Sequence, residues 1–237
     1  MNGKELSWMF DPGKTKAVLW DLDDTLYSRR DAARQTFPGM FREHLYPSGT
    51  DAFLSRAADY MMTQVPRNSM IHETAFQALL AKYPPEIPYV RSSCVDYYYA
   101  HMREFVKPSA QALEIVEKLK AMGIRQAIVT NITPELVASQ KAKVRALGIS
   151  HLFDAVIYSA EFGVHKPDRR IFDHAAKILG ISNDQCVFVG DDPASDVAGS
   201  IGAGMEAVWL DRWEYDGRFA NDPKVHRVQS LLEYFDI

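Results

Sequence analysis

The stretch Ala17-Val18-Leu19-Trp20-Asp21-Leu22-Asp23-Asp24-Thr25-Leu26-Tyr27 decides the fold and poses a physical problem. Four apolar residues in a row read as a strand buried on both faces. Three carboxylates then follow within four residues, where that strand leaves the core. Like charges this close repel one another and resist burial. Side chains at i and i+2 of an extended chain share a face, so Asp21 and Asp23 can point the same way while Leu22 packs. A cluster of this kind needs a counter-charge.

The rest of the chain says what surrounds the strand. From about Pro108 onward, short apolar runs at 126–129, 155–158, 186–189 and 207–210 alternate with segments of helical pattern. Those segments, 112–122, 136–147 and 171–179, are each followed by a glycine: Gly123, Gly148 and Gly180. Glycine just past a helix end is the usual stop signal. Short continuous strands alternating with helices predict a parallel sheet covered on both faces, with 17–20 as its fifth strand. The tail over 225–235 predicts a short strand and a helix.

The segment 28–106 lacks this alternation. Phe53, Ala57 and Met61 step by four, as do Leu54, Ala58 and Met62, and Ile71, Ala75 and Leu79. These are helical spacings. Pro38, Pro66 and the Pro84-Pro85 and Pro88 cluster are expected to separate the helices. The predicted organisation is therefore an α/β body formed by 1–27 and 107–237, with an all-helical domain over 28–106 inserted after the first strand. The two connections make a hinge.

Bulk composition excludes several classes. A chain of 237 residues with 47% hydrophobic and 24% charged residues is an ordinary globular mixture that can bury a sizeable core. A formal net charge of −4 gives no electrostatic case for a nucleic acid polymer as partner. No run approaches the roughly 18 apolar residues of a membrane span, and residues 1–14 lack the apolar core of a secretory leader. Cys94 and Cys186, the only two cysteines, stand far apart and read as buried thiols. A cytoplasmic protein is expected.

Polar residues follow each predicted strand at once. Asp21, Asp23, Asp24 and Thr25 follow the first; Thr130 and Asn131 the second; Lys166 lies in the segment after the third; Asp191, Asp192 and Asp196 follow the fourth. Ligands of open parallel sheets bind beyond the carboxyl ends of the strands. Oxygen ligands without histidine or cysteine at suitable spacing favour a hard cation such as Mg²⁺, which commonly accompanies phosphate. A lysine and a hydroxyl at the same edge can hold phosphate oxygens. One carboxylate can then attack phosphorus while its neighbour handles protons.

Four segments, in order, resemble the motifs of the haloacid dehalogenase superfamily. They are Asp21-Leu22-Asp23-Asp24-Thr25-Leu26, Ile128-Val129-Thr130-Asn131, Gly163-Val164-His165-Lys166-Pro167, and Gly190-Asp191-Asp192 through Asp196. The helical insert resembles the C1-type cap of the phosphatase-like subfamily. The resemblance implies a Rossmann-like three-layer core with a parallel sheet and an inserted helical cap domain. It implies a Mg²⁺-dependent phosphatase of small phosphomonoesters, working through an aspartyl-phosphate. In that scheme Asp21 is the nucleophile and Asp23 the proton donor and acceptor. Asp21, Asp191 and the main-chain carbonyl of Asp23 hold the metal. Thr130 and Lys166 grip the phosphoryl oxygens with help from Asn131. Asp196 stands behind the metal or Lys166, and Asp192 can reach the metal through water.

Other readings compete. Asp192 before Pro193 is a standard helix start, so capping is its main expected role. Asp24 fits turn chemistry better than catalysis. Arg29, Arg30, Arg34 and Arg67 in the insert can meet an anionic substrate, although a solvated face explains each as well. Tyr27 after the first motif resembles pyrimidine 5′-nucleotidase-like members. A phosphosugar mutase shares the first half-reaction and is the main alternative. A 2-haloacid dehalogenase is disfavoured by Asp23, and a non-catalytic module by the intact motifs.

Overall fold

The computed structural model describes residues 10–66, 69–212, 217–219 and 221–237. Arg67 and residues 1–9 lie outside that set. The chain divides into two compact units, Met1–Tyr27 with Pro108–Ile237, and Ser28–Lys107.

The first unit is built on six parallel strands: β1 (Ala17–Trp20), β2 (Arg125–Thr130), β3 (Ala155–Tyr158), β4 (Cys186–Gly190), β5 (Glu206–Leu210) and β6 (Val225–Val228). Their order is β3-β2-β1-β4-β5-β6. The chain builds outward from β1 to β3, then restarts at β4 on the other side of β1. The reversal falls between β1 and β4, where open sheets leave a crevice at the strand ends. Trp20, the last residue of β1, is level with Ile128 on β2 and Val189 on β4. The residues just past these three strands therefore emerge side by side.

Both faces of the sheet are covered, which is why the strands read as unbroken apolar runs. On one face Ala17, Leu19, Ala127, Val129 and Phe188 pack with α7 (Arg169–Leu179) through Ile171, Phe172, Ala175, Ala176 and Leu179. That spacing is a single helical stripe. On the other face the Trp20 ring stacks on Phe235 at 5.7 Å and its indole N–H donates to Gln126 (3.1 Å). The buried Gln126 amide in turn donates to the Val116 carbonyl of α5 (Ala110–Ala121) at 2.9 Å. A buried amide is tolerable only when it is paired in this way. The tail forms the expected strand, β6, but its helix is a single 3₁₀ turn, Leu231–Glu233.

The second unit holds α1 (Arg29–His44), α2 (Asp51–Gln64), α3 (Glu73–Lys82) and α4 (Arg91–His101). Ser28 and Thr50 cap α1 and α2 through their hydroxyls. Phe37, Phe41, Leu54, Ala57, Met61, Phe76 and Leu79 are among its buried residues. The proline expectation needs one correction. Pro38 does not separate two helices; it lies inside α1. Proline offers no N–H to the carbonyl four residues back, a cost of about 3 kcal/mol in an unsupported helix. Here Ala33, Phe37, Met40 and Phe41 are buried on both sides of it, so packing holds the helix through the defect. Among the described residues no helix is long and apolar enough to cross a membrane.

Candidate active site

The acidic stretch after β1 does not continue the strand. The Leu26 N–H bonds back to the Leu22 carbonyl (3.1 Å), and Asp24 takes the left-handed conformation at φ 61°. Aspartate is one of the few residues that tolerates this region. Arg212 donates to the Asp24 carbonyl at 2.7 Å. Asp24 is thus a turn residue, and the turn fixes where Asp21 and Asp23 emerge.

Lys166 is the electrostatic centre of the first group. Its ammonium lies 2.5 Å from Asp21 Oδ1 and 2.8 Å from Asp196 Oδ1, with 1% of its side chain exposed. Burial alone would lower the lysine pKa, but Asp196 and Asp21 outweigh it and hold the ammonium well above its ordinary range. The Asp21 carboxyl is pushed up to about 7, first by burial and then by Asp196 and Asp23, against the pull of Lys166. One ammonium does not neutralise this many acids.

Asn131 acts on the lysine's main chain. Its amide donates to the Lys166 carbonyl (2.9 Å) and accepts from the Lys166 N–H (2.8 Å). This two-bond brace ties the end of β2 to the segment that carries the lysine. His165 is bound nearby through Ser159 (2.7 Å), whose hydroxyl accepts from the Ile132 N–H (2.9 Å).

After β4, Asp192 caps a π-type turn, Pro193–Val197, by accepting from the N–H groups of Ala194 (2.7 Å) and Ser195 (3.0 Å). Asp196 is satisfied on both oxygens: Oδ1 accepts from Lys166 and Ser195 Oγ (3.1 Å), and Oδ2 from the Asp192 N–H (3.1 Å). Gly190 makes room for it, since a Cβ there would collide with the Asp196 carboxylate. Asp191 completes the group. Carboxylate oxygens of Asp21, Asp191 and Asp196 lie within 4.8 Å of one another. Ligands about 2.1 Å from an octahedral Mg²⁺ are separated by roughly 3 to 4 Å, so an all-oxygen set of this spread fits a hard divalent ion after small adjustments.

The second group was not legible as chemistry in the sequence. Asp23 is engaged by three donors. Tyr27 Oη and Lys143 Nζ (2.9 Å) donate to its Oδ1, and Gln140 Nε2 (2.9 Å) donates to its Oδ2. Gln140 Nε2 also donates to Thr130 Oγ1 at 2.8 Å. Gln140 and Lys143 belong to α6 (Val137–Ala146), which follows a 3₁₀ turn, Pro134–Leu136, after β2. Only the structure exposes the pattern. Gln140, Lys143, Val144 and Leu147 stand at helical spacing and are all buried, so two polar residues occupy the inward stripe of an otherwise ordinary helix. Tyr27, fully buried, is committed to this group and gives no support for a nucleotide-selecting role.

A family profile described as haloacid dehalogenase-like hydrolase matches residues 15–204. The chain belongs to that family. Among curated relatives of this hydrolase is the glyceraldehyde 3-phosphate phosphatase of Methanopyrus kandleri, 33% identical over 92% of this chain and 96% of the relative. Another is the phosphoserine phosphatase of Thermus thermophilus, 28% identical over 93% and 98% of the two chains. Among solved structures, the magnesium-bound haloacid dehalogenase-type hydrolase YfnB of Bacillus subtilis covers 93% of this chain and 96% of its own. It superposes with a TM-score of 0.69 at 19% identity and shares the fold. The parallel six-stranded sheet with its flanking helices is the Rossmann-like α/β fold of this family.

Proposed function

We propose that this hydrolase is a phosphatase of small phosphate monoesters, with Asp21 as nucleophile. The observation that carries the reading is the buried Lys166 between Asp21 and Asp196, beside Asp191, at the ends of β1 and β4. Phosphoryl transfer asks for positioning and charge neutralisation more than for covalent artistry. Asp21 attacks phosphorus in line and expels the alcohol oxygen, which takes a proton from Asp23. Water then attacks the aspartyl-phosphate, giving its proton to Asp23 and releasing phosphate. Lys166 and the Thr130 hydroxyl steady the phosphoryl oxygens, and Asn131 holds the Lys166 main chain in place.

We assign the metal to Asp21, Asp191 and the main-chain carbonyl of Asp23, with Asp196 as the brace behind them because both its oxygens already accept other bonds. Mg²⁺ fits the donor set, and when bound it supplies the positive charge that the phosphoryl group and the acids share. Asp192 is a cap, at most linked to the ion by water. The helical unit, as an inserted cap domain, is assigned the choice of substrate. Two buried free thiols support a cytoplasmic address.

The test is phosphate release from a panel that includes glyceraldehyde 3-phosphate, phosphoserine and sugar phosphates, with Mg²⁺ present. Turnover is expected on at least one ester, to vanish with chelator and return with Mg²⁺. Asp21→Asn should lower it at least about 10³-fold. An inert panel, or turnover indifferent to chelator and to Asp21→Asn, overturns the reading. Phosphoryl return to a sugar without net release would instead mark a mutase.

A further inference from the structure

We infer that Lys143, with Gln140, is a positioning residue that aims the Asp23 carboxylate at the water which hydrolyses the phosphorylated enzyme. The inference rests on the phosphatase reading and goes one step further, into its second half-reaction.

Three observations carry it. Lys143 is 7% exposed, and its ammonium is committed to Asp23 Oδ1 (2.9 Å) and to Tyr27 Oη (3.3 Å). A lysine is buried this deeply only when it is paired, and its partner here belongs to the motif and not to the scaffold. Gln140 takes the other oxygen of the same carboxylate and links it to Thr130 at the end of β2. Finally, Tyr27, Lys143 and Gln140 each donate to Asp23. Both carboxylate oxygens thus accept hydrogen bonds that fix where the group stands.

The step that needs a proton acceptor so placed is hydrolysis of the aspartyl-phosphate. The water oxygen bonds to phosphorus, and the bond between phosphorus and the Asp21 oxygen breaks. The water's proton passes to Asp23, and inorganic phosphate leaves with Asp21 restored as carboxylate. Asp23 delivers that proton to the leaving oxygen of the next ester. Expulsion of a good leaving group does not need the proton. Loss of Lys143 therefore separates the two half-reactions, which loss of structure does not.

The experiment uses the full chain with Mg²⁺ and p-nitrophenyl phosphate, whose nitrophenolate departs unprotonated. The variants are Lys143→Met, Lys143→Arg and Gln140→Met, each checked for an intact melting transition. Lys143→Met is expected to keep the first-turnover burst of nitrophenolate within about threefold of the unaltered enzyme while steady-state turnover falls about tenfold or more. Acid quenching should trap more phosphorylated enzyme, and KM should not rise. Lys143→Arg restores part of the steady-state rate, and Gln140→Met shifts it in the same direction as Lys143→Met by less. Burst and steady state falling together, a KM effect with unchanged kcat, or no change at all would overturn the inference. If the unaltered enzyme hydrolyses no ester, it is the phosphatase reading that fails; hydrolysis with an unaffected Lys143→Met leaves that reading standing and removes this one.

Discussion

The two units treat polar groups in opposite ways. In the helical unit the only buried polar residue among those described is Thr36, whose hydroxyl is satisfied by the Ala32 carbonyl one turn back at 2.8 Å. Its ion pairs, such as Arg34 with Asp59 (2.6 Å), stay at the surface. The α/β unit buries Asp21, Asp24, Thr130, Gln140, Lys143, Lys166 and Asp196, nearly all at one end of the sheet. Burying charge costs stability unless partners are excellent. The difference teaches where this chain accepts most of that cost: at the strand ends that carry the motifs, with the buried Asp211, paired to Arg227 at the end of β5, as a further instance outside them.

The comparison is broken most severely at Lys166. Lys166→Met leaves two buried carboxylates without their ammonium, and removing one partner of a buried pair costs about 3–5 kcal/mol. Denaturant unfolding should show that loss, and turnover should fall about 10²–10³-fold because the phosphoryl oxygens lose a donor.

The next effect is one of pH. The Asp21 carboxyl sits at about 7 in the folded protein against an ordinary value of 3.8, chiefly through burial. The folded state then binds a proton that the unfolded chain has released. This contribution to stability is complete below about 4 and is lost as pH rises through 7. Melting in chelator should show that decline, Mg²⁺ should offset it above 7, and Asp21→Asn should remove it. A profile equally sloped in Asp21→Asn would assign the decline elsewhere.

In the helical unit the expected effects are smaller and carry the opposite sign. Pro38→Ala returns an N–H to the interior of α1 and should raise stability by about 1–3 kcal/mol without altering turnover of a small aryl phosphate. Arg34→Ala, which deletes an exposed pair, should leave the melting temperature unchanged within error. A large loss at Arg34 would mean that the helical unit also depends on its charges.

Much of this architecture was legible in the chain. The strands β1 and β3 fall on the expected residues, and β2, β4 and β5 extend theirs by one or two. Asp192 caps its turn as the Asp-Pro pair announces. Pro38 misled because local propensity was outweighed by packing on both sides of it. Gln140 and Lys143 carried no motif. Polar residues inside a helical pattern read as surface unless the buried stripe is already known.

The sequence by itself determined the parallel α/β layering, the helical insert and the order in which Asp21, Thr130, Lys166 and Asp191 arrive at the strand ends. Period, punctuation and local chemistry are properties of neighbours in the chain, and all of these follow from them. Only the tertiary structure decided which charges meet. It set Lys166 between Asp21 and Asp196, and it brought Lys143, 120 residues away, onto Asp23. Such pairings depend on strand order and helix rotation, which no short stretch of sequence encodes.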